Sequence, residues 1–413
     1  MKFLLYFFTL FFIIDLSAQD VKFRLDINQP ISSGNPISID IGTFGINPND
    51  TAYQLYRISK GTQMPLESQM DGSDRPTLSF ITDIDLSPGQ KNEYLLKITD
   101  WKKPVSPINL KKGNEDVQIE YNGKSILRYQ TAIKYPPEGV NPIYGKSGFI
   151  HPLWSPSGEV LTRIQAPDHY HHYGIWGPWT HTHINGRFVD FWNLGGGLAT
   201  VRFSKMLSES VGPVYSGFTA LQEHVDFGGK GSDQIAINEA LKVQAWKTDS
   251  NSNTYMIDYT TTINSPLDSG IIFDAYRYGG GIGMRMTEKW HKDNCTVLTS
   301  EGKDRLTADG TNARWCIVEG ESGSGRSGIL FMSHPTNRAH PEPMRVWPID
   351  ANGGRGDMFF EFCPIRHENW IIEKGKDYTL RYRMVVFDGE LTPEKAEQYW
   401  KAFAYSPQAI KIK

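Results

Sequence analysis

Apolar side chains recur at every second residue along most of this chain, and that period leaves few folds open. In "NTYMIDYTTTI", Tyr255, Ile257, Tyr259 and Ile263 fall on one face. In "YTLRYRMVVF", Leu380, Tyr382, Met384 and Val386 share a face, with Arg381 and Arg383 on the other. A period of two belongs to a sheet with unlike faces. "PISIDIGTFGI" and "NEYLLKITD" alternate in the same way nearer the N-terminus, with a turn signal at "SPGQKNEY". One helix stands out, at "TPEKAEQYWKAF". Thr392 caps it, Pro393 opens it, and Ala396, Tyr399, Trp400 and Phe403 form its apolar stripe. The expected fold is all-β. A small N-terminal β-sandwich over 19–105 precedes a large double-sheet supersandwich over 106–413, closed by one C-terminal helix. "WKKPVSP", Trp101 to Pro107, reads as the linker.

Length and charge narrow the partners. The 413 residues suit two domains, and a net charge of −3 offers no basic field for nucleic acid. Met1 to Asp20, "MKFLLYFFTLFFIIDLSAQD", has a positive start, a short apolar stretch and small residues before Gln19. It reads as a secretory signal over 1–18, so an exported, periplasmic protein is expected. No later run is apolar enough to span a membrane. Cys295, Cys316 and Cys363 match no zinc spacing, and a catalytic cysteine is disfavoured.

The chemistry concentrates in "PDHYHHYGIWGPWTHTHINGRFVDFW", Pro167 to Trp192, which holds five histidines and three tryptophans. On a strand, His169 and His171 share a face, as do His181 and His183. Such pairs allow a zinc or copper site without requiring one. They equally suit proton transfer, because imidazole titrates near neutral pH. An aromatic core with polar edges is the bland alternative. "FDAYRYGGGIGMR" adds Tyr276, Arg277 and Tyr278 before a glycine run, where Arg277 has the fork that grips a carboxylate. "EGKDRLTADGTNARWC" contributes Lys303 and Arg314. "MSHPTNRAHPEPMRVWP" contributes His334, Asn337, His340 and Arg345 on a proline-stiffened loop. Glu361 sits among apolar residues in "MFFEFCP". No nucleophile elbow, P-loop, zincin helix or EF-hand loop occurs, and no organic cofactor is expected.

Together these segments resemble a family that carries the label "methane oxygenase PmoA". The pieces are "SGFIHPLWSPSGEVLT", "DHYHHYGIW", "DFWNLG", "YRYGGGIGMR", "LTSEGKDR", "ARWC", "GILFMSHPTNRAHPEPMRVWP" and "YTLRYRMVVFDG", from about Tyr135 to Phe403. Where relatives often read "DHYHHRG", this chain has Tyr173. The label itself does not suit a chain with one cleavable apolar segment, since the methane monooxygenase subunit of that name spans the membrane repeatedly. The resemblance implies an exported carbohydrate-processing protein whose sheets are similar to the galactose-mutarotase-like supersandwich. In function it is nearest to an oligosaccharide dehydratase of ulvan degradation. Such an enzyme removes water from a non-reducing terminal uronic acid and leaves a 4,5-unsaturated sugar.

That elimination needs a cation to neutralise the carboxylate, a base for the C5 proton and an acid for the C4 hydroxyl. Arg277, Lys303, Arg314 and Arg345 are the candidates for the first. His169, His171, His172, His334, Tyr276 and Tyr278 are the candidates for the other two. Asn337 and His340 would bind substrate, and Trp176, Trp179 and Trp192 would stack on sugar rings. The expectation is one cleft in which the histidine run and the "SHPTNRAH" loop meet. Glycoside hydrolysis, with carboxylates among Glu288, Glu301 and Glu361, and mutarotation are the alternatives. Non-catalytic sugar binding is a third.

Overall fold

Strands Thr254–Asn264 and Tyr378–Asp388 pair antiparallel, with Tyr259 opposite Tyr382 and Asp258 opposite Arg383. The residues expected on one face are all buried in the same core. In this computed structural model the described residues are 19–46, 52–72, 76–99, 106–228, 232–248, 252–323 and 325–412. The expected signal segment and Trp101–Val105 of the linker lie outside them.

These two strands are the middle of an eight-stranded sheet. Its order runs from Ala199–Val211 at one edge, through Tyr215–Asp226 and Gln234–Trp246, to Gly325–Ser333, Trp315–Ser322 and Cys295–Thr299 at the other. A nine-stranded sheet faces it. That sheet includes Ile108–Lys112, Lys124–Gln130, Phe149–Leu153, Ile175–Trp176, Ile282–Arg285, Phe359–Phe362 and Glu342–Val346. Side chains of both sheets, such as Ile119 and Leu127 from one and Leu241 and Ile257 from the other, share a single apolar core. This is the expected double-sheet supersandwich, built here from the ladders themselves.

The alternate residues of the eight-stranded sheet face outward, and part of that face is buried too. Helix Pro393–Ala404 lies on it, with Tyr399, Trp400 and Phe403 packed against Trp246, Met256 and Val385. Thr392 caps the helix by accepting from the Lys395 amide, as its sequence position requires.

The N-terminal unit is a five-stranded sheet on a three-stranded one, around its own core of Phe23, Leu55, Phe80 and Tyr94. One strand of it comes from the far end of the chain. Gln408–Lys411 pairs with Val21–Asp26, Phe23 opposite Lys411. The sequence division had left this tail with the larger unit. Its four residues, mostly exposed, carry no alternation to read, and the ladder alone holds them. Among the described residues no helix is long and apolar enough to cross a membrane.

Candidate functional site

His169–Tyr173 forms a separate two-stranded ribbon with Ile164–Ala166, against Phe149–Leu153 and Ile282–Arg285 in the interior of the nine-stranded sheet. Strict alternation would send His172 away from His169 and His171. The ribbon is irregular: its register shifts between Ile164 and Ala166, where Gln165 has φ 45°. Gly174, at φ 64°, turns the chain directly afterwards, and a side chain there would strike the Ile150 carbonyl. The three rings therefore converge. Their centroids lie 5.3 Å (His169–His171), 4.7 Å (His169–His172) and 4.9 Å (His171–His172) apart.

Each imidazole has a different surrounding. His169 Nδ1 is 2.8 Å from Asp168 Oδ2, and its ring is about a third exposed. That carboxylate also accepts from Arg285 at 2.8 Å. Burial acts to raise the Asp168 carboxyl, but the His169 hydrogen bond and the Arg285 charge hold it well below the usual carboxylate range. Burial, then the charge that His169 can carry, pushes His171 down to about 4. His172 is buried and held well below the usual imidazole range, again chiefly by desolvation. Both rings are neutral at neutral pH. The proton on His172 can be placed: its Nδ1 faces Arg285 Nη1 at 3.4 Å. A guanidinium only donates, so Nδ1 accepts and the hydrogen sits on Nε2.

Arg285 is the ionic centre beneath these rings. It is 1% exposed, bridges Asp168 and Asp357, and lies 4.6 Å under the Trp347 ring. Asp357 is also reached by Arg163 and Arg355. Around the histidines stand Trp192, Trp347, Phe359 and Tyr278. Trp192 donates to the His171 carbonyl at 3.0 Å, and Trp347 donates to the Tyr278 hydroxyl at 3.2 Å. Arg345 lies 4.9 Å over the Tyr278 ring, tied to Asp309 at 2.6 Å. Arg277 is exposed, with its guanidinium 5.4 Å from the same ring and no acidic partner among the described residues.

Of the residues expected in one site, His169, His171, His172, Tyr278, Arg345 and Arg277 are thus linked through Tyr278, Trp192 and Trp347. The "SHPTNRAH" loop is elsewhere. His334 packs edge-on against Phe403, and His340 stacks over Trp400, both on the C-terminal helix. Asn337 is buried, pinning the loop to Glu342 and the Arg381 carbonyl. Among the described residues, no partner of this loop is a partner of the histidine triad. Arg314 pairs with Glu301 and Glu397 and lies over Trp400, while Lys303 is exposed near it. Tyr276 stacks at 3.6 Å on His181 and lies tilted at 5.9 Å against Tyr278, so it too adjoins the site through Tyr278. His183 is taken by Asp274 at 2.6 Å. Trp176 and Trp179 are fully packed and present no face to a sugar. The loop joins Gly325–Ser333 of the eight-stranded sheet to Glu342–Val346 of the nine-stranded one and is held against the C-terminal helix, whereas the triad lies on its own ribbon against Phe149–Leu153 and Ile282–Arg285.

Four participants were missed by sequence reasoning: Asp168, Arg285, Asp357 and Trp347. Arg285 had a signal, a charge inside the apolar strand "IGMR", of the kind that marked Glu361. Burial pushes all three thiols up, that of Cys295 to about 12, so none supplies a thiolate.

The triad is also the candidate metal centre, since one ring nitrogen from each residue lies within 4.8 Å of the others. The Arg285 contact weighs against an ion there, because it leaves the proton of His172 on the nitrogen a metal would need. Proton transfer is the better fit.

The chain belongs to the DUF6807 family, described as a family of unknown function, whose model matches residues 116–401. That description names no activity, and the methane-oxygenase label is not part of it. No curated protein matches the chain. Among solved structures it is similar to the heparan sulfate lyase HepC of Pedobacter heparinus, at 9% identity and TM-score 0.30, over 74% of this chain and 38% of that one. It is also similar to a galactose mutarotase-related enzyme of Lactobacillus acidophilus, at 10% identity and TM-score 0.29, over 68% and 97%. The chain thus spans well under half the length of the first, and overlaps this loose carry no argument about activity.

Proposed function

We propose that this protein is an exported, carbohydrate-active hydro-lyase. It eliminates water from the non-reducing terminal uronic acid of ulvan-type oligosaccharides. The observation that carries this reading is the Asp168–His169 pair, a partly exposed imidazole oriented by a carboxylate that its surroundings keep ionised. His169 donates Nδ1–H to Asp168 and keeps Nε2 for the C5 proton. Arg277, free of acidic partners, holds the sugar carboxylate at the rim. The Tyr278 hydroxyl accepts from Trp347 and retains its own proton for the leaving C4 oxygen. The C5–H and C4–O bonds break, a C4–C5 double bond forms, and water departs. His171 and His172, neutral and packed among aromatics, are the dry wall behind the reacting ring.

The hydrolase alternative finds no support in its candidate carboxylates. Glu361 is fully buried against the Gly279 amide, Glu301 is exposed beside Arg314, and Glu288 is exposed beside Arg163. A uronate-terminated oligosaccharide incubated with the purified chain gains the ultraviolet absorbance of a conjugated uronate, and gains it equally after dialysis against EDTA. His169→Ala abolishes the gain. An unchanged rate in that variant contradicts the reading, and loss of activity with EDTA moves it to a metal on the triad.

A further inference from the structure

A second polar cavity lies on the other side of the eight-stranded sheet, where the N-terminal unit leans over it. Its volume is about 340 Å³, within the ~300–1,000 Å³ of small-molecule pockets. The sheet register builds its floor in two rows. Lys242 is opposite Thr260, and Thr260 is opposite Arg381. Gln244 is opposite Asp258, and Asp258 is opposite Arg383. Strands lie ~4.8 Å apart, so Lys242 and Arg381 stand on either side of Thr260, close enough for both to reach one small group above its hydroxyl.

The charges in these rows do not balance. Asp258 is consumed by Arg383, through contacts of 2.5 and 2.8 Å. Lys242 and Arg381 have no acidic partner among the described residues, so three cations against one anion leave a surplus of two. The opposite wall is Ser38 and Ser79, cross-strand neighbours whose hydroxyls lie 2.8 Å apart. Trp246 also lines the cavity and is 3% exposed. A neighbouring groove of about 250 Å³ shares Tyr215, Lys242 and Gln244 but is also lined by Asp71 and Glu209, the latter paired with Lys112, so the cationic surplus belongs to the first cavity. Two unpaired cations, spare hydroxyls and an indole suit an anionic sugar better than a neutral one or a bare ion.

We propose that this inter-unit groove is a second binding site, one that takes an acidic segment of an oligosaccharide by its carboxylate or sulfate, between Lys242 and Arg381. It uses none of the residues of the histidine cleft and stands or falls separately from the activity assigned there. The test is calorimetric titration of the full chain with a glucuronate-containing tetrasaccharide. One equivalent is taken up in the groove. Lys242→Ala/Arg381→Ala loses that equivalent with its melting temperature unchanged, whereas Arg277→Ala keeps it. Arg381→Gln alone, which removes only the charge, weakens uptake on the order of tenfold. Undiminished uptake by both groove variants overturns the proposal. So does equal affinity for the carboxyl-reduced tetrasaccharide, or displacement by an equal concentration of sodium sulfate alone, which would make this an inorganic anion site. Absence of an unsaturated product with the intact chain would overturn the lyase reading and leave this one standing.

Discussion

At the scale of single residues, the proposed site would work by keeping some charges and refusing others. Asp168 stays ionised because Arg285 and His169 both favour its anion. Asp168→Asn retains the shape and removes the charge that orients and supports His169. Turnover should fall roughly 10²- to 10⁴-fold, the usual worth of a positioned proton-transfer group, with little change in substrate affinity. Initial rates over a range of substrate concentration check this, and a loss confined to KM contradicts it. His171 shows the opposite behaviour. It is pushed down to about 4 by burial, while in the unfolded chain a histidine takes up its proton near pH 6.5. Between those values the unfolded state binds more protons, so stability rises with pH across that window. The thermal midpoint should therefore drop as pH is lowered from 6.5 to 4. In His171→Gln the drop should be shallower, and an identical slope would contradict the assignment.

At the scale of elements, the cleft depends on pieces that are not themselves reactive. The segment carrying Trp347 and Asp357 is held from below by Arg305. Its guanidinium donates to the carbonyls of Trp347, His291, Gly356 and Asp357. Arg305→Ala leaves buried carbonyls unpaired and should cost about 3 kcal/mol of stability. Chemical denaturation measures this, and a change under 0.5 kcal/mol, the ordinary surface range of about ±0.5, contradicts the anchoring role. Periodicity revealed the strands and the helix in the sequence because each has one face against a core. It could not reveal the convergence of His169, His171 and His172, because that depends on a register shift and on Gly174. Nor could it separate His334 from His169. Both lie in loops or ribbons rich in histidine, and only the folded chain decides what each packs against.

At the scale of the whole molecule, the chain closes on itself. Strand Gln408–Lys411 returns to pair with Val21–Asp26, and Lys411 reaches the Phe44 carbonyl at 2.9 Å. Deleting residues 408–413 should expose the Val21–Asp26 edge and speed amide exchange in the N-terminal sheet, with the eight-stranded sheet protected as before. Uniform exchange in both units would show instead that they unfold as one. The separate N-terminal sheets were hinted at in the sequence because that segment lacks the histidine- and tryptophan-rich runs of the rest. This closure was not, since four mostly exposed residues give no pattern. The surplus charge of Lys242 and Arg381 was equally hidden, because it appears only when three distant strands lie side by side. The central claim is the elimination itself, and mass spectrometry of a uronate-terminated oligosaccharide after incubation with the intact chain tests it most directly. The account predicts a product of undiminished sugar count, lighter than the substrate by one water. Two shorter fragments, or an unaltered mass, would contradict it.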